Sequence, residues 1–491
     1  MGVIKSQSIK STIYTYIGVF IGFINSTLLM PRLLSKEQVG MLSLVNSLAG
    51  LFVGFFALGV PLIAVKLFPT FRNPQNKHNG FFSFMFLMTV IGTISGILIY
   101  ILFEDYLLTE KNDARNFSPF FLGFCILFIA KLAFKNFDSF IRMMYKTVLG
   151  AFLEGFIIKI FATTLLLSFW YYQGYDFKIF FLLYVSALAI PGIVQGLYIF
   201  FIREFSLDFR RFSTFASSMK QELITLSIYG LLGTLGSIVV LEVDKLMISN
   251  MIGLEATGIY SIAFFFGLFI NIPARGLKRV AQALVSDLWR NNDVKSIQSI
   301  YRKSCNNQFL LSLYLFLGVW LNIDYVFQFL PEGYSDGKYV ILFIGLGQLA
   351  DMITGVNTEI IASSKYYRFN TYFIGSLIVL VVLFNYLLIP PFGIEGAAMA
   401  SALAMILVNG SKFFFLNYKL NFQPLNSGIV KILVIGIASL LIIQFALPVF
   451  DNPFVGILTT GTLLTILYWV PSLLLGISED INQIVQKYIK F

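Results

Sequence analysis

The chain has 491 residues, 57% of them hydrophobic and 12% charged, with a formal net charge of +10. Soluble domains carry roughly 25% charged residues, so this composition excludes an ordinary water-exposed globular protein and points to a chain embedded in a membrane. A single histidine, His78, and two cysteines in apolar runs, Cys125 and Cys305, exclude a histidine cluster, a disulfide framework and a thiolate metal site.

The N-terminal stretch MGVIKSQSIKSTIYTYIGVF carries two lysines and then a long apolar run, without a small-x-small cleavage site. It reads as an uncleaved first membrane helix. Crossing the hydrocarbon core takes about 20 apolar residues. On that rule the fold class is all-α integral membrane, with about fourteen spans near 10–31, 40–65, 80–103, 117–137, 148–170, 179–202, 223–248, 257–279, 305–330, 339–362, 369–390, 394–417, 428–449 and 454–476. Placing the N-terminus in the cytoplasm puts 26 of the 35 Lys and Arg residues on the cytoplasmic side, and the bias holds to the last loop. Both ends are therefore expected inside. The same bias accounts for the positive charge without a nucleic-acid partner. Between Leu277 and Lys303, Leu277, Ala281, Leu284 and Leu288 recur at helical spacing beside Trp289, which predicts an amphipathic helix on the membrane surface.

The stretch Leu241–Tyr260 (LEVDKLMISNMIGLEATGIY) has a counterpart earlier in the chain. At an offset of 218 residues, Gly18, Glu37, Gly40 and Ser43 fall on Gly236, Glu255, Gly258 and Ser261. With matching hydropathy, this indicates two structurally similar halves.

Charge inside a membrane is costly and faces a cavity or a partner. Lys131, Lys135, Asp138 and Arg142 step by four, three and four along one helical face of the fourth span. Snorkelling accounts for part of that ladder; a path for an anionic headgroup is the functional reading. Lys159, mid-way through the fifth span, is beyond snorkelling reach and needs a carboxylate, a carbonyl or water. Glu154 lies five residues away on the same helix, which is poor α-helical spacing for a partner. Asp351, near the middle of the tenth span, either pairs with Lys159 or takes up H⁺ or Na⁺. Asp244 lies close to the outer end of the seventh span, and Glu242 and Lys245 are spaced to pair with each other. Small and polar residues line one face of the first span (Thr15, Gly18, Gly22, Asn25) and of the seventh (Gly230, Gly233, Ser237, Asp244), as close packing or as room for a cavity.

Four stretches carry a family resemblance: MPRLLSKEQVGMLSLVNSL (Met30–Leu48), DKLMISNMIGLEATGIYSIA from Asp244, SDLWRNNDVKSIQSIYRKS (Ser286–Ser304) and FGIEGAAMASAL (Phe392–Leu403). In order and spacing they resemble the Wzx-like polysaccharide flippases of the multidrug/oligosaccharidyl-lipid/polysaccharide exporter superfamily. The resemblance implies two six-helix bundles around a central cavity, at 1–202 and 223–417, joined by a linker at 203–222. Two further helices and a tail follow at 418–491. It implies alternating-access movement of a polyprenyl-diphosphate-linked oligosaccharide across a bacterial-type inner (cytoplasmic) membrane, among membrane lipids and possible polysaccharide assembly proteins. Lys159, Lys131, Lys135 and Arg275 are then the candidate diphosphate ligands. Asp351 and Asp244 are the candidates for coupling to H⁺ or Na⁺, with no other cofactor. A multidrug exporter of the same superfamily is one alternative; fourteen spans and a central lysine argue against it. A membrane glycan polymerase or glycosyltransferase is another. It would be expected to hold its catalytic groups in a sizeable outer loop, and the predicted outer loops are short.

Overall fold

The computed structural model describes residues 2–109, 114–144, 146–172, 175–204, 206–216 and 219–488, and among them it is helical with no strand. Among the described residues ten helices are long and apolar enough to cross a membrane, or twelve if each of two bent pairs is counted as one span. Length and composition alone thus support ten to twelve crossings rather than the expected fourteen. The difference arises at two places. Leu254–Phe269 has 16 residues, short of a crossing. Tyr367–Leu420 counts once although it has 54 residues, which at 1.5 Å per residue would be about 81 Å of helix. It is not straight. Gly393 takes φ 59°, ψ −135°, a conformation essentially reserved for glycine. The chain folds back there, so that a Cβ on Gly396 would lie 2.0 Å from the carbonyl oxygen of Leu388. The two arms match the separately expected segments 369–390 and 394–417.

The chain divides into two compact units, Met1–Ser261 and Ile262–Phe491. In the first, an aromatic-rich core that includes Phe68, Phe81, Phe82 and Phe140 seats Val60–Phe71 against Phe81–Leu107 and Phe120–Met143. The helix Lys36–Phe56 starts with a capping box between Ser35 and Gln38 and packs on Phe120–Met143 and Lys220–Met251. The second unit is built around Val294–Phe327, which packs against Lys338–Ile353, Ser427–Ala446 and Pro453–Leu474.

The surface helix expected over 277–303 takes a different form. A helix runs from Ile272 to Arg290, turns, and Val294 then opens a 34-residue helix. Asp293 caps that start by accepting from the Ser296 N–H at 3.1 Å; Ser296's hydrogen bonds hold the Asp293 carboxyl below its usual range. The apolar face also differs. Ala281 and Val285 are buried, whereas Leu277 and Leu284 are exposed.

The offset of 218 residues has a physical counterpart. Ser43 and Ser261 share a hydrogen bond of 2.5 Å. A Cβ on Gly40 would lie 2.0 Å from the Leu254 oxygen, and one on Gly258 would lie 2.1 Å from the Lys36 oxygen. The approach is reciprocal, as in a twofold contact, and it lies within the first unit. Lys36 adds an ion pair to Glu255 at 2.9 Å. Ser43→Cys combined with Ser261→Cys is therefore expected to cross-link on mild oxidation. The readout is an altered mobility of the intact protein on a non-reducing gel, lost on reduction and absent from either single variant.

Candidate functional site

Lys159 is placed by two π turns. Leu153–Ile157 closes with the Ile158 N–H on the Leu153 carbonyl, and Asn25–Leu29 closes with the Met30 N–H on the Asn25 carbonyl. The first helix packs backbone to backbone on the first of these turns. A Cβ on Gly18 would lie 1.7 Å from the Gly155 oxygen, and Gly22 faces the Lys159 side chain, where a Cβ would meet Cε at 3.3 Å. Asn25 Nδ2 donates to the Lys159 carbonyl at 3.0 Å, and Thr163 Oγ1 donates to the same oxygen at 2.7 Å. The stripe Gly18–Gly22–Asn25 is thus a packing surface, and what it packs is the helix that carries Lys159. The π turn also changes the partner analysis. At 3.6 residues per turn, positions five apart differ by roughly 140° around the helix. An i→i+5 turn draws them towards one face, and Glu154 is the charged group that acts on Lys159. It does not pair with it: among the described residues the Lys159 ammonium has no hydrogen-bond or ion-pair partner. Lys159 is half-buried.

The lysine ladder divides into parts with different chemistry. Lys131 Nζ donates to Asn46 Oδ1 at 2.7 Å and to the Asn46 carbonyl at 3.2 Å. Asp138 is buried and neutralised within the protein, bound by Arg142 Nε at 2.7 Å and Gln195 Nε2 at 2.8 Å. Lys135, between them, is half-buried and among the described residues has no direct partner. Glu242 accepts from Ser47 Oγ at 2.6 Å and pairs with Lys245 at 3.0 Å, as their spacing suggested; this pair is largely buried. Lys131 is within the field of Glu242, Lys245, Glu154 and Lys159, and Lys135 within that of Glu154. One cluster thus gathers four ammonium groups, Lys131, Lys135, Lys159 and Lys245, around two carboxylates, Glu154 and Glu242. Such a surplus of poorly hydrated positive charge favours an anion.

The other candidates lie elsewhere. Asp244 is fully buried and accepts a hydrogen bond from Tyr260 Oη. The Arg275 side chain lies outside the described residues. Asp351 has a partner that sequence reasoning did not name. Lys278 Nζ sits 2.6 Å from Asp351 Oδ2, with both side chains largely buried. The carboxylate is held by a lysine of its own unit. Lys278 is one of the 26 Lys and Arg residues that the charge bias places on the cytoplasmic side. The available signal was its spacing from Ala281 and Val285, which puts it on the buried stripe of its helix.

The comparisons with known proteins bear on this arrangement. Residues 6–273 match the family described as "Polysaccharide biosynthesis protein", more than half of the chain. The chain belongs to that family. An uncharacterised membrane protein of Methanocaldococcus jannaschii is 22% identical, over 93% of this chain and 92% of its own length. Among solved structures, the chain is similar to the lipid II flippase MurJ in an inward closed conformation. That match has a TM-score of 0.72 at 13% identity and covers 96% of this chain and 98% of the other. It is also similar to an inward-facing multidrug resistance MATE transporter of the MOP superfamily, with a TM-score of 0.61 at 10% identity over 84% and 94% of the two chains. The chain thus shares its fold with the lipid II flippase MurJ and with a MATE transporter.

Proposed function

We propose that the chain is a flippase that moves a polyprenyl-diphosphate-linked oligosaccharide from the inner to the outer leaflet of a bacterial-type cytoplasmic membrane by alternating access. The observation that carries this reading is the first unit's cluster of four lysines around two glutamates, with Lys159 and Lys135 lacking a direct protein partner among the described residues. A diphosphate supplies the missing counter-charge, and charge-assisted hydrogen bonds from the two ammonium groups would hold it while the lipid tail stays in the bilayer. A drug exporter with an acidic cation pocket would need the opposite charge surplus. The similarity to the lipid II flippase MurJ fits a lipid-linked cargo. Partners in polysaccharide assembly and the orientation with both termini in the cytoplasm belong to the same proposal, the latter resting on the Lys and Arg bias.

The test is a vesicle assay with purified protein and a fluorescent polyprenyl-diphosphate-linked oligosaccharide on one leaflet, scored by accessibility to a membrane-impermeant quencher. Equal sidedness with and without protein would sink the reading. A charge-assisted hydrogen bond is worth about 1.5–3 kcal/mol, so Lys159→Gln is expected to slow translocation roughly 10- to 100-fold. The thermal midpoint should hold, because no protein carboxylate loses its partner. A Lys159→Gln protein that transports normally would remove Lys159 from the cargo site.

A further inference from the structure

The second unit contains a buried charge cluster distinct from the lysine cluster of the first. Lys278 on the Ile272–Arg290 helix pairs with Asp351 on Lys338–Ile353 at 2.6 Å. Lys412, on the second arm of Tyr367–Leu420, is 8% exposed and donates to Thr358 Oγ1 at 3.0 Å. Glu359 follows Thr358 in the short helix Asn357–Ser363, which is packed between the helices carrying Lys278 and Lys412. Its Oε2 is shut off from solvent and has no hydrogen-bond partner among the described residues. The charged groups acting on Glu359 are Lys278, Asp351 and Lys412, and the buried, neutral Cys305 thiol of Val294–Phe327 is the further titratable group near Lys278.

The groups are not equivalent. Asp351 has a lysine in direct contact, so its charge is satisfied. Glu359 has lysine fields nearby but a buried oxygen that accepts nothing. An unsatisfied buried acceptor is destabilising, and more so when charged. Besides an ordered water, two remedies respond to ionic conditions: a cation at the oxygen or a proton on it. A metal ion is disfavoured by the two ammonium groups already beside the carboxylates, since bringing a third positive charge into a poorly solvated site adds repulsion that only full coordination offsets. No group of three or more His, Cys, Asp or Glu side chains suited to a metal occurs among the described residues. A proton needs no coordination shell and converts the unsatisfied oxygen into a hydroxyl.

We propose that Glu359 is a proton-binding site of the second unit, taking up and releasing H⁺ inside the Lys278–Asp351–Lys412 cluster, and that Asp351, held by Lys278, keeps its charge and is not the exchanging group. Proton uptake converts the Glu359 carboxylate to the carboxylic acid and raises the charge of the four side chains from zero to +1. The purpose assigned to this site, coupling transport to a proton gradient, rests on the flippase reading. Occupancy by a proton does not, and is measured separately.

Infrared difference spectra of the purified wild-type protein, taken between mildly acidic and mildly alkaline pH, should show a carboxylic-acid carbonyl band that grows on acidification. E359Q should lack it. E222Q, at an exposed glutamate near the start of Lys220–Met251, should keep it. If E359Q does not yield monodisperse protein, E359D serves instead, and the band should move in frequency and midpoint. A band unchanged in E359Q or E359D, or no pH-dependent band in the wild type, overturns the proposal, as does a band that responds to Na⁺ at fixed pH. Translocation in the same vesicles with and without a pH gradient then reads the purpose: a band lost in E359Q with transport indifferent to the gradient would keep the proton site and reject coupling.

Discussion

Gly18→Val is expected to leave little folded protein. The first helix meets the π turn of the Lys159 helix at Gly18, where even a Cβ would lie 1.7 Å from the Gly155 carbonyl oxygen and 2.5 Å from its carbon. Overpacking a core costs about 1–3 kcal/mol when side chains can yield. Here the obstacle is backbone, so the helices must separate. Gly155 restricts the opposite side, since its own Cβ would lie 2.8 Å from the Tyr14 oxygen. Separation would also strain the bonds from Asn25 to the Lys159 carbonyl and from Thr163 to Asn25, at 3.0 and 2.9 Å. Gly22→Ala is the informative contrast. Its added carbon would meet the flexible Lys159 stem at 3.3 Å, which can give by a few tenths of an ångström. That variant should fold and report instead through altered translocation. The yield of monodisperse protein and the thermal midpoint of both variants check the pair. A Gly18→Val protein with wild-type values would show that the two helices do not meet as described.

The second large effect is at Lys278 and Asp351. Removing one partner of a buried ion pair leaves an uncompensated charge and costs about 3–5 kcal/mol, whereas replacing both by apolar groups of similar volume is often close to neutral. Lys278→Met alone should therefore lower the thermal midpoint strongly. The double variant Lys278→Met with Asp351→Leu should recover most of that loss. The coupling between the two substitutions is the quantity to measure, by a double-mutant cycle on thermal midpoints or proteolysis rates. Additive losses would mean that the pair, 2.6 Å apart, contributes nothing as a pair.

What the sequence made legible follows from what it encodes locally. Apolar run length located nearly every membrane helix. Depth within a run flagged Lys131 and Lys159, and both fall in the first unit's cluster. The position of Glu242, three residues before Lys245 on one helix, correctly suggested their contact. The failures share a cause. Lys278 looked like one more cytoplasmic-side cation, because nothing in its own segment announces that Ile272–Arg290 lies against Asn357–Ser363. Glu154 was set aside on α-helical geometry, and the π turn that alters its bearing leaves no mark in local propensity. Helix length ceases to measure a crossing at two places, the 16 residues of Leu254–Phe269 and the fold-back at Gly393, where the sequence placed separate segments. Asn46 and Ser47, which hold Lys131 and Glu242, are ordinary polar residues in an apolar helix until their partners are known.

The reciprocal contact of Gly40 with Gly258 and of Ser43 with Ser261 explains why the internal likeness could be seen at all. Once a segment has been duplicated, most positions of the two copies drift independently, each answering to its own neighbours. A position that touches its own duplicate does not have that liberty. If Gly40 gained a side chain, it would strike the Leu254 carbonyl, and Gly258 would strike Lys36 in the same way. Each copy is thus a constraint on the other. The ancestry of such a chain should stay readable longest along the line where its two copies meet.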